Sequence, residues 1–145
     1  MPKLCMTNWR TGNGDPNPIF GETTGPFAEL VLGDQVNLKQ FGVRIERLAP
    51  GSRSSIRHWH LAEDEFVYVL TGELVLVEEG EVLLHAGDAA AWPAGSEVAH
   101  CLANRSNTEA SFLIVGGRSS KDIVTYPDHG VRLIRNGTDR KYEAL

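Results

Sequence analysis

The sequence is poor in cysteine, in basic residues and in long apolar runs. Its two cysteines, Cys5 and Cys101, have a spacing that suggests neither a disulfide framework nor a thiolate zinc site. Lys and Arg number 14 against 19 Asp and Glu, a formal net charge of −5, and phosphate backbones require a basic surface. No run is long enough to span a bilayer or to form a secretory signal. We expect a cytoplasmic protein that binds neither nucleic acid nor membrane.

Helical periodicity is also missing. Gly12–Asp15 is rich in glycine, but no Lys-Ser/Thr follows it as a phosphate loop requires. From Phe41 onward the chain instead alternates about ten short β-prone runs with turn signals, as sandwiches and barrels do. With 145 residues, of which 41% are hydrophobic and 23% charged, the sequence predicts a single globular all-β domain.

The predicted organisation has three parts. Residues 1–35 contain several turn signals and are expected to form an irregular N-terminal arm that wraps the barrel or a partner subunit. Residues 36–124, approximately, are expected to form the barrel. Residues 125–145 are predicted to contain one further strand and a polar tail on the surface.

The stretch Gly51–Gly72 carries the first set of chemically distinctive residues. In a strand, side chains alternate between faces, so His58 and His60 lie on the same face with Cα atoms roughly 6.6 Å apart. Both imidazoles can then reach a single ion. Glu65 stands at the start of a β-prone run, where a buried carboxylate needs a partner. The pattern predicts a metal site.

A second stretch, Gly87–Asn104, completes a recognisable pair of motifs. The two stretches together resemble the paired motifs of the cupin superfamily. The motif positions are filled by Gly51, His58, His60, Glu65 and Gly72 in the first, and by Gly87, Pro93, Gly95, His100 and Asn104 in the second. Six residues rather than five follow Gly51, and four rather than two precede His100. Both departures change a loop length and leave the ligand types intact.

The resemblance implies a fold and a cofactor. The chain resembles the small, single-domain cupins of the conserved-barrel type, which implies a jelly-roll barrel, or double-stranded β-helix. It also implies four metal ligands, which are His58, His60, Glu65 and His100. We expect one divalent transition metal per chain, with Zn, Fe(II), Mn and Ni all open.

The pocket around the metal is predicted from strand alternation. Inward positions near the ligands are expected to be Val67, Val69, Val98 and Leu102, which form a largely apolar wall. Arg44 is a candidate for binding an anionic ligand.

The sequence leaves the reaction open. The leading interpretation is a metal-dependent enzyme acting on a small organic molecule, an anionic or enediol-forming one being a candidate, as an isomerase, a lyase or a dioxygenase. No catalytic residue is assigned, although Glu65 would be the natural base if it left the metal. The alternative is a non-catalytic module that binds or senses a small molecule and whose metal is structural.

The oligomeric state is a separate expectation. A homodimer is expected from the apolar outer-face residues Phe66, Tyr68 and Leu70 together with the N-terminal arm.

Overall fold

The computed structural model describes residues 3–145, and these residues are almost entirely β-structure. The strands are β1 (Arg10–Gly12), β2 (Phe27–Val31), β3 (Phe41–Leu48), β4 (Trp59–His60), β5 (Glu65–Thr71), β6 (Glu73–Val77), β7 (Glu81–His85), β8 (Ala89–Trp92), β9 (Cys101–Ala103), β10 (Ala110–Gly117), β11 (Lys121–Tyr126), β12 (Val131–Asn136) and β13 (Asp139–Ala144). Two short 3₁₀ helices, Gly33–Val36 and Pro127–His129, interrupt them. The prediction of an all-β jelly-roll fold is confirmed.

The strands form two walls. One is a six-stranded sheet in the order β1-β2-β3-β10-β5-β8. The other combines a four-stranded sheet, β13-β12-β11-β4, with a three-stranded sheet, β7-β6-β9. Isolated bridges from His58 to His100 and from Arg53 to Ala103 join these two smaller sheets. The strand pairs described are antiparallel, so each wall presents alternate residues to the interior.

The hydrophobic core lies between the walls at one end of the barrel. Leu48, Val69, Leu74 and Phe112 are each 0% exposed and belong to one packed cluster. Between β5 and β6, Gly72 adopts a φ of 72°, and a Cβ there would lie 2.9 Å from the carbonyl oxygen of Glu109. Only glycine fits this turn without strain. Because the apolar residues fill one end, the other end remains available for a site.

The N-terminal region differs from its prediction. Residues 1–35 were expected to be irregular, but β2 pairs with β3 from Phe27 opposite Leu48 to Val31 opposite Arg44. Leu30 in β2 is fully buried. The prediction is therefore wrong over this segment, because the short apolar run Phe27–Val31 extends the sheet past β3. Met1 and Pro2 of the predicted arm lie outside the described residues.

The C-terminal region also differs. The segment after β12 was predicted to be a polar tail on the surface, and it contains an additional strand, β13, which pairs with β12 along its full length. Gly137 has a φ of 62° in the connecting turn. Asn136 pairs with Asp139, so Gly137 and Thr138 form a two-residue hairpin loop, and glycine with a positive φ at its first position favours such a hairpin despite the polarity of β13.

The outer face of the six-stranded sheet carries apolar side chains. Phe66, Tyr68 and Leu70 are 38%, 39% and 38% exposed. A homodimer through this face stays a prediction, and light scattering at micromolar concentration tests it; a monomeric mass would contradict it. Within residues 3–145, no helix has both the length and the apolar character needed to cross a membrane.

Candidate metal centre

Four side chains converge at the open end of the barrel. His58 and His60 lie at the entry to β4, Glu65 begins β5, and His100 precedes β9. His58 Nε2 lies 3.2 Å from His60 Nε2, and His100 Nε2 lies 2.7 Å from Glu65 Oε2. The Glu65 carboxylate is 3.7 Å from His60 Nε2 and 3.9 Å from His58 Nε2. All four residues predicted as ligands are therefore brought to one point.

The Nδ1 atom of each imidazole has its own hydrogen-bond acceptor. His58 Nδ1 donates to the carbonyl oxygen of Ile56 at 2.7 Å, and His100 Nδ1 donates to that of Val98 at 2.9 Å. His60 Nδ1 donates to Asp122 Oδ2 at 2.6 Å. Protonation at Nδ1 leaves the Nε2 lone pairs directed at the common point, as metal-binding histidines require.

The donor set fits a divalent transition metal. Two Nε2 lone pairs that face each other at 3.2 Å repel unless a cation lies between them, and ligands at right angles with bonds of 2.1 Å would be about 3.0 Å apart. The short contact of His100 Nε2 with Glu65 is a hydrogen bond only while Nε2 holds a proton, which a metal would displace. Three imidazoles and a carboxylate suit Zn, Fe, Ni or Mn and leave positions open on a five- or six-coordinate ion.

The electrostatics of the centre also favour metal binding at neutral pH. Burial lowers the pKa of His58 to about 4, so its imidazole is neutral. Burial alone would raise the pKa of Glu65, but the His100 contact and the neighbouring imidazoles outweigh it and lower this pKa to about 2. The centre thus presents a neutral imidazole at His58 and an ionised carboxylate at Glu65, the forms that bind a cation.

A second layer supports His60. Asp122 is fully buried, and besides His60 it accepts hydrogen bonds from the backbone N–H of Ala62 and from Arg135 Nη2. Burial would raise the pKa of Asp122, but these hydrogen bonds, that of His60 first, lower it. Arg135 also donates to Glu63 at 2.7 Å. His60, Glu63 and Asp122 form a second acidic cluster, in which Arg135 already supplies the positive charge.

The centre opens into a cavity of about 380 Å³, within the usual range for small-molecule sites. Charged side chains line the cavity together with the four converging residues; they are Arg44, Glu46, Glu63, Arg118 and Arg135. Apolar side chains also line it, including Val67, Leu102, Phe112 and Ile114. A molecule with both charged and apolar parts fits such a surface.

The comparisons with known proteins agree with this geometry. Residues 44–116 match the family model described as the cupin domain. The chain belongs to the cupin superfamily. A search of curated proteins finds no match.

Several solved cupin structures resemble this one. A structure described as a sugar phosphate isomerase from a cupin superfamily, from Silicibacter pomeroyi, is 36% identical with a TM-score of 0.90, covering 99% of this chain and 92% of the other. A candidate sugar phosphate isomerase of Acidithiobacillus ferrooxidans is 31% identical with a TM-score of 0.79, covering 82% and 76%. A predicted oxalate decarboxylase of Thermotoga maritima is 28% identical with a TM-score of 0.56, covering 66% and 83%.

The pocket residues predicted for this cupin divide into three groups. Arg44, Val67 and Leu102 line the cavity, whereas Val69 lies beneath it in the hydrophobic core. Val98 is 39% exposed and does not line the cavity, so its prediction is wrong. Residues 96–99 form a loop rather than a strand, and the alternation that placed Val98 beside His100 does not extend into it.

Two important residues of this cupin were missed by sequence reasoning. Trp92 stacks on the His100 ring with centroids 3.6 Å apart and planes 1° apart, and its Nε1 donates to Glu78, so it fixes the ring's orientation. Asp122 is far from His60 in sequence, and β11 brings it there. The one sequence feature that could have indicated its burial is strand alternation, which places Asp122 on the same buried face of β11 as Val124.

Proposed function

We propose that this cupin is a metal-dependent isomerase that acts on a small phosphorylated sugar. The observation that carries the proposal is the convergence of three imidazoles and a carboxylate at one side of a closed-ended cavity with arginines in its wall. The similarity over 99% of the chain to a structure described as a sugar phosphate isomerase supports the same activity.

The charges around the cavity support an anionic, hydroxylated substrate. Arg44, Arg118 and Arg135 line it, and guanidinium groups match phosphate oxygens in geometry. Arg135 Nε is buried and has no hydrogen-bond partner among residues 3–145. An unpaired buried donor is costly, so a substrate oxygen or a water molecule is its expected partner.

Isomerisation of an aldose to a ketose through an enediol requires a group that polarises the carbonyl and a proton carrier. When bound, a divalent metal supplies Lewis-acid polarisation of the substrate carbonyl. A base must remove the proton from the carbon next to the carbonyl and return it to the former carbonyl carbon, while the hydroxyl proton moves to the carbonyl oxygen. Atoms and electrons then balance without a co-reactant.

Glu63 is the carboxylate that we assign to the proton transfer. It lines the cavity without belonging to the four converging residues, and its Oε2 lies 3.5 Å from His60 Nδ1. Its Oε1 accepts hydrogen bonds from Arg135 and from the backbone N–H of Ser119, which fix the carboxylate in place. A base positioned in this way is typical of general acid–base catalysis.

The test is an isomerase assay in D₂O on protein loaded separately with Mn, Fe(II), Ni and Zn. Aldose phosphates of three to six carbons are the substrates, and ¹H NMR follows ketose formation and deuterium incorporation at the exchanging carbon. We expect conversion with at least one metal, and a large loss of kcat in Glu63→Gln with its metal content unchanged. Metal-loaded protein that binds these sugars but neither converts them nor exchanges the proton would instead identify a non-catalytic binding module.

A further inference from the structure

The inward face of β3 carries a charged pair inside the cavity. Arg44 and Glu46 both line it, and Arg44 Nε donates to Glu46 Oε2 at 3.0 Å. The Glu46 side chain is 7% exposed, and the Arg44 side chain is 43% exposed. The carboxylate is therefore the buried member of the pair, and the guanidinium group is the solvent-accessible one.

Arg44 keeps its terminal nitrogens free. Among residues 3–145, its side chain makes one hydrogen bond, through Nε, which also lies 3.9 Å from Glu29 Oε2, and neither Nη atom has a hydrogen-bond partner. Arg118 differs, because its Nη1 donates to the carbonyl oxygen of Leu38 and its Nη2 pairs with Asp34. Arg135 has its Nη2 shared between Glu63 and Asp122. Of the three cavity arginines, Arg44 thus offers the most unused donors.

The sheet register places Arg44 at a useful distance from the metal centre. Glu65 on β5 lies opposite Gly116 on β10, which lies opposite Gly42 on β3. Arg44 is two residues beyond Gly42, so its Cα is about 12 Å from that of Glu65 by strand spacing and rise per residue. Gly116 has no side chain to occupy the space between them. A short ligand can therefore contact both groups.

We propose that Arg44 binds the phosphate group of the substrate while the opposite, carbonyl end of the molecule lies at the metal centre. This assignment rests on the proposed function. Glu46 is a positioning residue: by holding Nε it directs both Nη groups to one side, which is the arrangement that binds phosphate oxygens in pairs. Because Arg44 is partly exposed, a bound phosphate keeps some of its hydration.

The experiment compares two arginines of the same strand. Arg47 faces the other side of β3, stacks on the Trp9 ring at 3.6 Å and has a side-chain exposure of 42%, close to that of Arg44. Inorganic phosphate is titrated into metal-loaded wild type, Arg44→Gln and Arg47→Gln by calorimetry. We expect Arg44→Gln to weaken phosphate binding by about 10- to 100-fold, as for the loss of a charged hydrogen-bond donor pair, and Arg47→Gln to bind as wild type does.

Two further variants test orientation rather than charge alone. Arg44→Lys keeps the charge but loses the planar fork, so its phosphate affinity is expected to lie between those of wild type and Arg44→Gln. Glu46→Ala removes both the acceptor for Nε and a negative charge, so charge alone predicts tighter phosphate binding and the positioning role predicts weaker binding than in wild type. Phosphate binding by Glu46→Ala as tight as or tighter than that of wild type would contradict the positioning role.

The outcomes separate this proposal from the proposed function. Equal phosphate affinity in wild type and Arg44→Gln, with metal content unchanged, overturns the subsite even if isomerase activity is found; phosphate held by the metal alone would give this result. Loss of phosphate binding in Arg44→Gln but not in Arg47→Gln supports the subsite even if no sugar phosphate is isomerised. An active enzyme should in addition show a raised KM and a nearly unchanged kcat in Arg44→Gln.

Discussion

The two walls of the cavity use their polar groups differently. On the wall formed by β4, β9 and β11, each imidazole donates from Nδ1 to a fixed acceptor, and Asp122 behind His60 accepts three hydrogen bonds. On the β3 and β10 wall, Arg44 has unused donors and Gly116 leaves space. The first wall is ordered before any ligand arrives, as a metal requires. The second wall is left open, as an exchanging substrate requires.

This difference gives each wall its own expected mutational behaviour. Changes in the ordered wall should alter metal affinity, and changes in β3 and β10 should alter substrate affinity with the metal retained. Glu65, on β5 of the same sheet as β3 and β10, belongs with the metal ligands. A variant in one group that changed the affinity assigned to the other group would contradict this division.

The largest effect is expected for His60→Ala. Removing one of four ligands should lower metal affinity by more than about 100-fold, because even the loss of a supporting hydrogen bond costs 10- to 100-fold. Metal content per chain, measured by plasma mass spectrometry on protein purified without chelator or nickel resin, gives the readout. His85→Ala is the control, since His85 is an exposed histidine outside the centre. Equal metal content in wild type and His60→Ala would show that His60 is not a metal ligand.

A smaller loss is expected for Asp122→Asn. In the wild type, the Asp122 carboxylate accepts hydrogen bonds from both His60 and Arg135 and carries a negative charge. The neutral amide of the variant lacks this charge and holds His60 less firmly, so metal affinity should fall by about 10- to 100-fold. Competition with a chelator of known affinity measures this constant, and the exposed Asp88→Asn serves as control. Unchanged affinity would mean that the ordering of His60 does not depend on Asp122.

In the open wall, Gly116→Val should act on the substrate alone. A Cβ at this position would lie 3.7 Å from the carbonyl oxygen of Asp64 and 3.9 Å from Glu65 Cγ, both ordinary contacts, so the strand accepts a side chain that occupies the cavity beside Glu65 without displacing it. We expect KM for the sugar phosphate to rise by about 10-fold with metal content unchanged. Gly80→Val, at a position with open space around it, is the control. A parallel loss of metal would show that the two walls are not independent.

The smallest effect concerns pH. Burial raises the pKa of Glu46 above its usual value, against the opposing effect of Arg44. With its pKa raised, the folded protein binds the Glu46 proton more tightly than the unfolded chain does, and this stabilises the fold at pH values below the unfolded-state pKa of 4.5. The stabilisation is lost as the pH rises through the higher pKa of the folded state. Glu46→Gln removes the titration, so its Tm relative to that of wild type should increase from pH 4 to pH 7. A constant difference across this range would contradict the assignment.

Sequence reasoning reached the centre of the site but not its surroundings. The ligand positions could be predicted because His58, His60 and Glu65 are close in sequence and strand alternation places the two histidines together. Val98 could not be placed, since alternation holds only within a strand and the chain before His100 is a loop. Likewise β2 and β13 were missed, because their stability comes from pairing with β3 and β12 rather than from their own composition.

By itself, the sequence determined the all-β architecture, the glycine turns that end the strands, and a candidate metal site at His58, His60 and Glu65, because each depends on local geometry and spacing. His100 was added to this set by the resemblance to the cupin motifs. The tertiary structure alone decided that Asp122 stands behind His60, that Trp92 covers the ring of His100, and that Arg44 rather than Arg118 keeps its donors free. These are contacts between residues far apart in the chain. Which partner each side chain finds is set by sheet register and packing, and composition carries no record of either.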